Sequence, residues 1–154
     1  MDIENIGVVG CGLMGSGIVE VCARAGYQVI VAEVSTEFLD RGLGRIRRSM
    51  GKAVARGKAT QEQADDALSR IRGTLMLDEL SDCGLVVEAA IENMAIKKEI
   101  FAKLDGVLPS HAILASNTSS LCCPAEEQGS YIKNLCAPFS CCFQPWICNQ
   151  KEVI

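Results

Sequence analysis

Gly10, Gly12 and Gly15 stand at the spacing Gly-x-Gly-x-x-Gly, with Cys11, Leu13 and Met14 between them. Missing side chains at that spacing suit the gripping of a diphosphate by backbone amides. Gly10 permits a tight turn, Gly12 leaves space for the phosphates, and Gly15 lets a following helix lie close to the preceding strand. The helix start then offers free N–H groups and a partial positive charge to an anion. Glu33 closes the next apolar run, Val29-Ile30-Val31-Ala32. A carboxylate there accepts hydrogen bonds from both hydroxyls of an adenosine ribose and repels a 2′-phosphate, so the pattern favours NAD over NADP. The glycine spacing alone is a weak signal. It gains weight from a strand before it, a helix after it and an acid at the end of the second strand. A glycine-rich turn beside a solvated glutamate is the competing reading.

These residues need a frame, and the rest of the chain predicts one. Short apolar runs alternate with longer amphipathic ones, the signature of βαβ units and a parallel sheet. Strands are predicted at Ile6–Val9, Val29–Ala32, Ile71–Leu75, Leu85–Glu88 and Ala112–Ala115. Helices are predicted from Met14 to Ala25, closed by Gly26, from Thr36 to about Arg56, from Thr60, and from Met94 to Leu108. Thr60 and Gln63 fit a capping box. Ile96, Ile100, Leu104 and Leu108 are read as the inward face of the last helix, and Ser116 to Ser120 as a loop. The fold class is therefore α/β, a Rossmann-type doubly wound parallel sheet.

Bulk composition narrows the function. The 154 residues fit about one domain, and 49% hydrophobic with 22% charged residues is the balance of a globular chain. A net charge of −4 argues against nucleic-acid binding. The local exception is the basic cluster Arg45, Arg47, Arg48, Lys52, Arg56 and Lys58. No apolar run is long enough for a membrane span, and the start Met1-Asp2-Ile3-Glu4 does not read as a signal peptide. The expected compartment is the cytoplasm, or an organelle matrix if a transit peptide has been removed. Nine cysteines are present, crowded toward the end at Cys122, Cys123, Cys136, Cys141, Cys142 and Cys148. They lack the paired spacing of a zinc site, so free thiols are expected and no metal.

Several blocks in order resemble the 3-hydroxyacyl-CoA dehydrogenase family, including 3-hydroxybutyryl-CoA dehydrogenases. They are the run from Val8 to Ile18, then Phe38-Leu39-Asp40-Arg41-Gly42, then Leu85 to Glu92, then Ile96-Lys97-Lys98 with Phe101 and Leu104-Asp105, and last Leu114 to Leu121. The last block is the most specific, because dinucleotide-binding domains in general do not carry it. The resemblance implies hydride transfer between NAD and C3 of a 3-hydroxyacyl-CoA. It implies that Ser119 hydrogen-bonds the reacting oxygen, that Asn117 shapes the same loop, and that Glu92 and Lys97 line the nicotinamide ribose and the cleft. It places coenzyme A against the basic helix, at Ser49, Lys52 and Arg56. On residue type alone, Ser119 also suits a helix cap, Glu92 a helix start, Lys97 a solvated helix face and the basic cluster a solvated surface. The full-length family implies a homodimer.

The resemblance breaks after Leu121. The family's catalytic histidine falls on Ser140, and the asparagine that follows it falls on Phe143. The one histidine, His111, precedes the fifth strand and reads as a surface residue. Yet the chain ends Glu152-Val153-Ile154, where the family pattern would place the glutamate that orients the histidine. The expected organisation is an NAD-binding domain over 1–121 and a divergent, cysteine-rich tail over 122–154, without the family's C-terminal helical domain. A locally shifted reading frame that is later restored accounts for such a tail, as does true divergence. Two readings of function follow. One is a hydroxyacyl-CoA dehydrogenase domain using Ser119 and Glu152; the other is a non-catalytic NAD-binding fragment or pseudoenzyme. A different β-hydroxyacid dehydrogenase is disfavoured by Asn117-Thr118-Ser119-Ser120.

Overall fold

The computed structural model of the chain describes residues 3–91, 93–117 and the short strand Leu135–Cys136. Strands β1 (Asn5–Val9), β2 (Gln28–Ala32), β3 (Ile71–Thr74), β4 (Leu85–Glu88), β5 (Ile113–Ser116) and β6 (Leu135–Cys136) alternate with helices α1 (Leu13–Arg24), α2 (Thr36–Ala55), α3 (Gln61–Ser69) and α4 (Met94–Val107). All strand pairs are parallel, in the order β3-β2-β1-β4-β5-β6. The order reverses between β1 and β4, which creates a crevice at their carboxyl ends.

Alternation along each strand sorts the core into two layers. Ile6, Val8, Val29, Val31, Val87 and Ala115 face α1, α2 and α3. Val9, Ala32, Val86 and Leu114 face the other side, under Phe101 and Leu104 of α4 and Leu80 of a 3-10 turn at Leu77–Leu80. That turn was not anticipated from the sequence. Fully burying a Leu or Phe is worth roughly 1.5–3 kcal/mol, so these faces hold the helices in place.

The caps follow the sequence signals. Gly26 has φ +97, Tyr27 N–H donates to the Cys22 carbonyl and Gly26 N–H to the Ala23 carbonyl, a Schellman end to α1. Thr60 and Gln63 exchange hydrogen bonds in a capping box at α3. Ser35 caps α2 by accepting from Phe38 N–H.

Three differences from the sequence reading matter. The buried residues of α4 are Lys97, Phe101 and Leu104; of the expected series, Leu104 is buried and Ile100 and Leu108 pack partly buried against the same core, so Lys97 and Phe101 are what the four-residue spacing missed. Steps of four advance by about 40° each beyond a full turn, so residues at mixed three- and four-residue steps share the buried face with that series. Ser116 is the last residue of β5 rather than part of a loop, and it is buried. Finally, the sheet continues beyond Leu121, because β6 pairs with β5 from within the segment read as a separate tail. An open edge of β5 would leave backbone groups without ladder partners.

Candidate dinucleotide site

The glycine turn connects β1 to α1 at the reversal point. Gly10 has φ +95, and a Cβ there would lie 2.7 Å from the Ala89 carbonyl oxygen. A Cβ on Gly15 would collide with the Gly10 carbonyl oxygen. Protein atoms therefore demand both glycines. Gly12 differs: a Cβ there would meet no atom within 4 Å. Its bareness faces open space. Gly12 is also the N-cap of α1, with no side-chain cap and no acid in the first turn. The first amides of a helix have no partner within it, so this end is prepared for an anion.

Glu33 follows β2 beside that turn. Its Oε1 accepts the Cys11 N–H at 2.5 Å and its Oε2 accepts the Val34 N–H at 3.1 Å. Arg45 reaches in from α2 to donate to the Cys11 carbonyl oxygen at 3.1 Å. The sequence reading had grouped Arg45 with the basic cluster of this helix, read as a place for coenzyme A or as a solvated face; the fold turns it toward the phosphate loop. Gly42, one turn earlier, permits this approach, because a Cβ there would lie 2.4 Å from Cys11 Sγ. Burial pushes the Cys11 thiol up to about 11, the Glu33 carboxylate adds to that, and Arg45 opposes it. Cys11 is thus a small buried hydrophobe held between two helices.

An apolar rim surrounds the turn. Leu13 and Met14 at the start of α1, Val34 after β2, Leu75 and Met76 after β3, and Ile91 after β4 are all exposed. Leu13 is 78% and Val34 82% exposed, far more than side chains of that type would be in a closed core. A hollow lies elsewhere, at Leu108, Pro109 and Ala112 near the opposite edge. The candidate site is an open shelf along the carboxyl edge.

Beneath that edge lies a polar cluster that sequence reasoning did not assemble. Glu88 ends β4 at 0% exposure, and Lys97 of α4 is 3% exposed. Lys97 Nζ donates to Glu88 Oε1 at 2.8 Å and to Oε2 at 2.7 Å. Ser116 Oγ donates to Glu88 Oε2 at 2.7 Å, and Ala90 N–H to Oε1 at 2.8 Å. Lys97 is therefore not a solvated helix lysine. The signal was available: a charged residue ending an apolar strand requires a buried partner. Nothing in the spacing said which one.

Asn117 follows β5, with its N–H on the Glu88 carbonyl at 2.8 Å. Ser49, Lys52 and Arg56 are exposed together on one face toward the end of α2. Ser119, Glu92 and Glu152 lie outside the described residues. His111 is exposed in the turn before β5, at the amino edge of the sheet. Among the described residues no group of His, Cys, Asp or Glu could hold a metal, and Cys11, Cys22 and Cys83 are free. No helix among them is long and apolar enough to cross a membrane.

An edge of this kind holds a dinucleotide: amides for its phosphates, a carboxylate for its sugar, apolar surface for its rings. The class is thus a dinucleotide-binding α/β domain. Residues 5–128 match the family of the 3-hydroxyacyl-CoA dehydrogenase NAD binding domain, and the chain belongs to that family. It is 49% identical over 120 residues to 3-hydroxybutyryl-CoA dehydrogenase of Mycobacterium tuberculosis, covering 77% of this chain and 42% of the relative. A probable 3-hydroxybutyryl-CoA dehydrogenase of Deinococcus radiodurans is 46% identical over 117 residues, covering 76% and 42%. Among solved structures, FadB2 of M. tuberculosis superposes with a TM-score of 0.77 at 48% identity, covering 79% of this chain and 43% of that one. A 3-hydroxybutyryl-CoA dehydrogenase of Escherichia coli gives 0.76 at 37% identity, covering 79% and 26%. The chain thus spans less than half the length of these relatives.

Proposed function

We propose that this chain forms the cofactor half of an NAD-dependent oxidoreductase acting on 3-hydroxyacyl-CoA. The observation that carries the proposal is the uncapped helix start behind Gly12, with the Glu33 carboxylate fixed beside it. Gly12 and the first amides of α1 would take the pyrophosphate, in the turn completed by Gly10, Cys11, Leu13, Met14 and Gly15. Glu33 would take the adenosine ribose, with Val34 and Leu75 offering apolar surface to the base. Bound NAD supplies the hydride acceptor for C3 of the acyl group.

The roles of Ser119 on the reacting oxygen, of Asn117 and Glu92 on the nicotinamide side, and of Glu152 beside a base rest on the family resemblance. Ser49, Lys52 and Arg56 would receive coenzyme A phosphates, arginine through its planar fork. A homodimer and a cytoplasmic or organelle-matrix location complete the proposal.

A second reading, NAD binding without turnover, is favoured by one observation. His111 is the one histidine in the sequence and stands at the amino edge, away from the crevice. An alcohol proton must leave with the hydride, and histidine is the usual acceptor near neutral pH.

Calorimetric titration with NADH, NADPH and acetoacetyl-CoA tests the proposal. NADH binding in preference to NADPH supports it, and the reverse preference refutes the role of Glu33. Oxidation of NADH by acetoacetyl-CoA separates the catalytic reading from the non-catalytic one. Weaker CoA-ester binding in Arg56→Ala, with NADH affinity intact, supports the placement of coenzyme A.

A further inference from the structure

We infer that Arg45 is a positioning residue for the phosphate grip: it pins the peptide through which the chain enters α1 and so aims the first amides of that helix. The inference rests on the NAD-binding reading above.

Cys11 stands between two peptide groups, and a charged side chain holds each of them. Glu33 takes the N–H of the Gly10–Cys11 peptide. Arg45 Nη2 donates at 3.1 Å to the carbonyl oxygen of the Cys11–Gly12 peptide. A trans peptide is a plane whose C=O and N–H point in opposite directions. Arg45 holds the carbonyl on the α2 side, so the Gly12 N–H points away from α2. A cation on the carbonyl also polarises the peptide and strengthens its N–H as a donor. Gly12 is the N-cap of α1, and its own carbonyl accepts Ser16 N–H at 3.0 Å, the first bond of the helix. The plane that Arg45 fixes is thus the last before α1, and its orientation passes on to the Leu13 and Met14 amides. Gly12 has no side-chain cap to fix that plane from the front.

The pose serves the turn rather than the arginine. Arg45 is half-buried, and its Nε is buried without a hydrogen-bond partner among the described residues. An unsatisfied donor of this kind is costly, and a solvated arginine avoids it, as the exposed neighbours Arg47 and Arg48 do. Gly42, three residues earlier on the same face of α2, leaves the room that brings Arg45 to the turn. A charge-assisted hydrogen bond in such a place is directional and little screened by salt.

Salt, a control charge and one backbone resonance test this. Arg45→Met keeps the apolar stem and removes the head. Arg45→Gln cannot reach the Cys11 carbonyl but keeps a polar end, so it covers the case in which Arg45→Met fails to fold. Arg47→Met removes the same charge from an exposed position of the same helix. Each variant and the native chain would be titrated with NADH and with ADP-ribose, which share the diphosphate, at about 50 mM and about 500 mM salt. A thermal melt and a ligand-free spectrum of 15N-glycine-labelled protein would be recorded for each.

Arg45→Met should lose about tenfold in affinity for both ligands, by the same factor at both salt concentrations. Arg45→Gln should lose affinity for both in the same way. In both variants the Gly12 amide resonance should move before any ligand is added. Arg47→Met should stay within about twofold of native and leave that resonance in place. A loss that disappears at the higher salt, or that Arg47→Met shares, would make Arg45 a distant charge and overturn the inference. A loss confined to NADH, unchanged affinity, or an unmoved Gly12 resonance in a folded Arg45 variant would overturn it as well. Each of these leaves the NAD-binding reading standing, whereas failure of the native chain to bind either ligand would overturn both.

Discussion

The Glu33 carboxylate accepts the Cys11 amide proton at 2.5 Å, joining the end of β2 to the phosphate turn before any ligand arrives. Glu33 thus shapes the turn as well as being the proposed partner of the ribose. Glu33→Ala should weaken NADH binding at least tenfold, given about 1.5–3 kcal/mol for a hydrogen bond to a charged group. It should also erase discrimination against NADPH. Titration of both cofactors into the variant checks this, and an unchanged NADH affinity would remove Glu33 from the site.

Two glycines of α2 should respond oppositely to alanine. A Cβ on Gly42 would collide with Cys11 atoms, whereas one on Gly51 would meet nothing within 4 Å. Gly42→Ala should cost about 1–3 kcal/mol by overpacking and weaken NADH binding. Gly51→Ala should gain up to about 1 kcal/mol from helix propensity. Urea unfolding of the pair decides it; equal effects would mean that the α2 contact with the phosphate turn is misassigned.

Breaking the buried ion pair on one side should be worse than removing it whole. Lys97→Met leaves the Glu88 carboxylate buried without its cation and should cost about 3–5 kcal/mol. Glu88→Gln/Lys97→Met should recover much of that loss. If the double variant is as unstable as the sum of the singles, the two residues are not coupled.

Alkaline pH should weaken the fold through its buried thiols. Burial pushes Cys11 and Cys83 up to about 11 from the ordinary 9.0; nearby Glu33 and Asp82 respectively add to this, and Arg45 and Arg72 oppose it. Below about pH 9 both folded and unfolded chains keep these protons, so the contribution is whole. As pH rises from about 9 to 11 the unfolded chain loses protons first, and stability falls. Unfolding midpoints across that range should drop more steeply in the native chain than in Cys11→Ala/Cys83→Ala. Identical slopes would show that these thiols are not the cause.

Local chemistry sufficed for much of the fold. Gly26 ending α1, Thr60 with Gln63 starting α3, and apolar runs bounded by polar residues are effects of short range, so they can be read along the chain. The glycine turn and Glu33 were equally legible, because a diphosphate grip must occupy consecutive residues at one strand-to-helix junction. Partnerships across the sheet were not. Ser116 lies beside Glu88 because β4 and β5 pair in one register, and Lys97 reaches both because α4 crosses back over that end. Likewise Arg45 and Gly42 meet Cys11 only because α2 lies against α1. The order of residues fixed which groups could bind a nucleotide; tertiary contacts decided which groups hold them still, since a buried charge takes its partner from whatever the fold brings within reach.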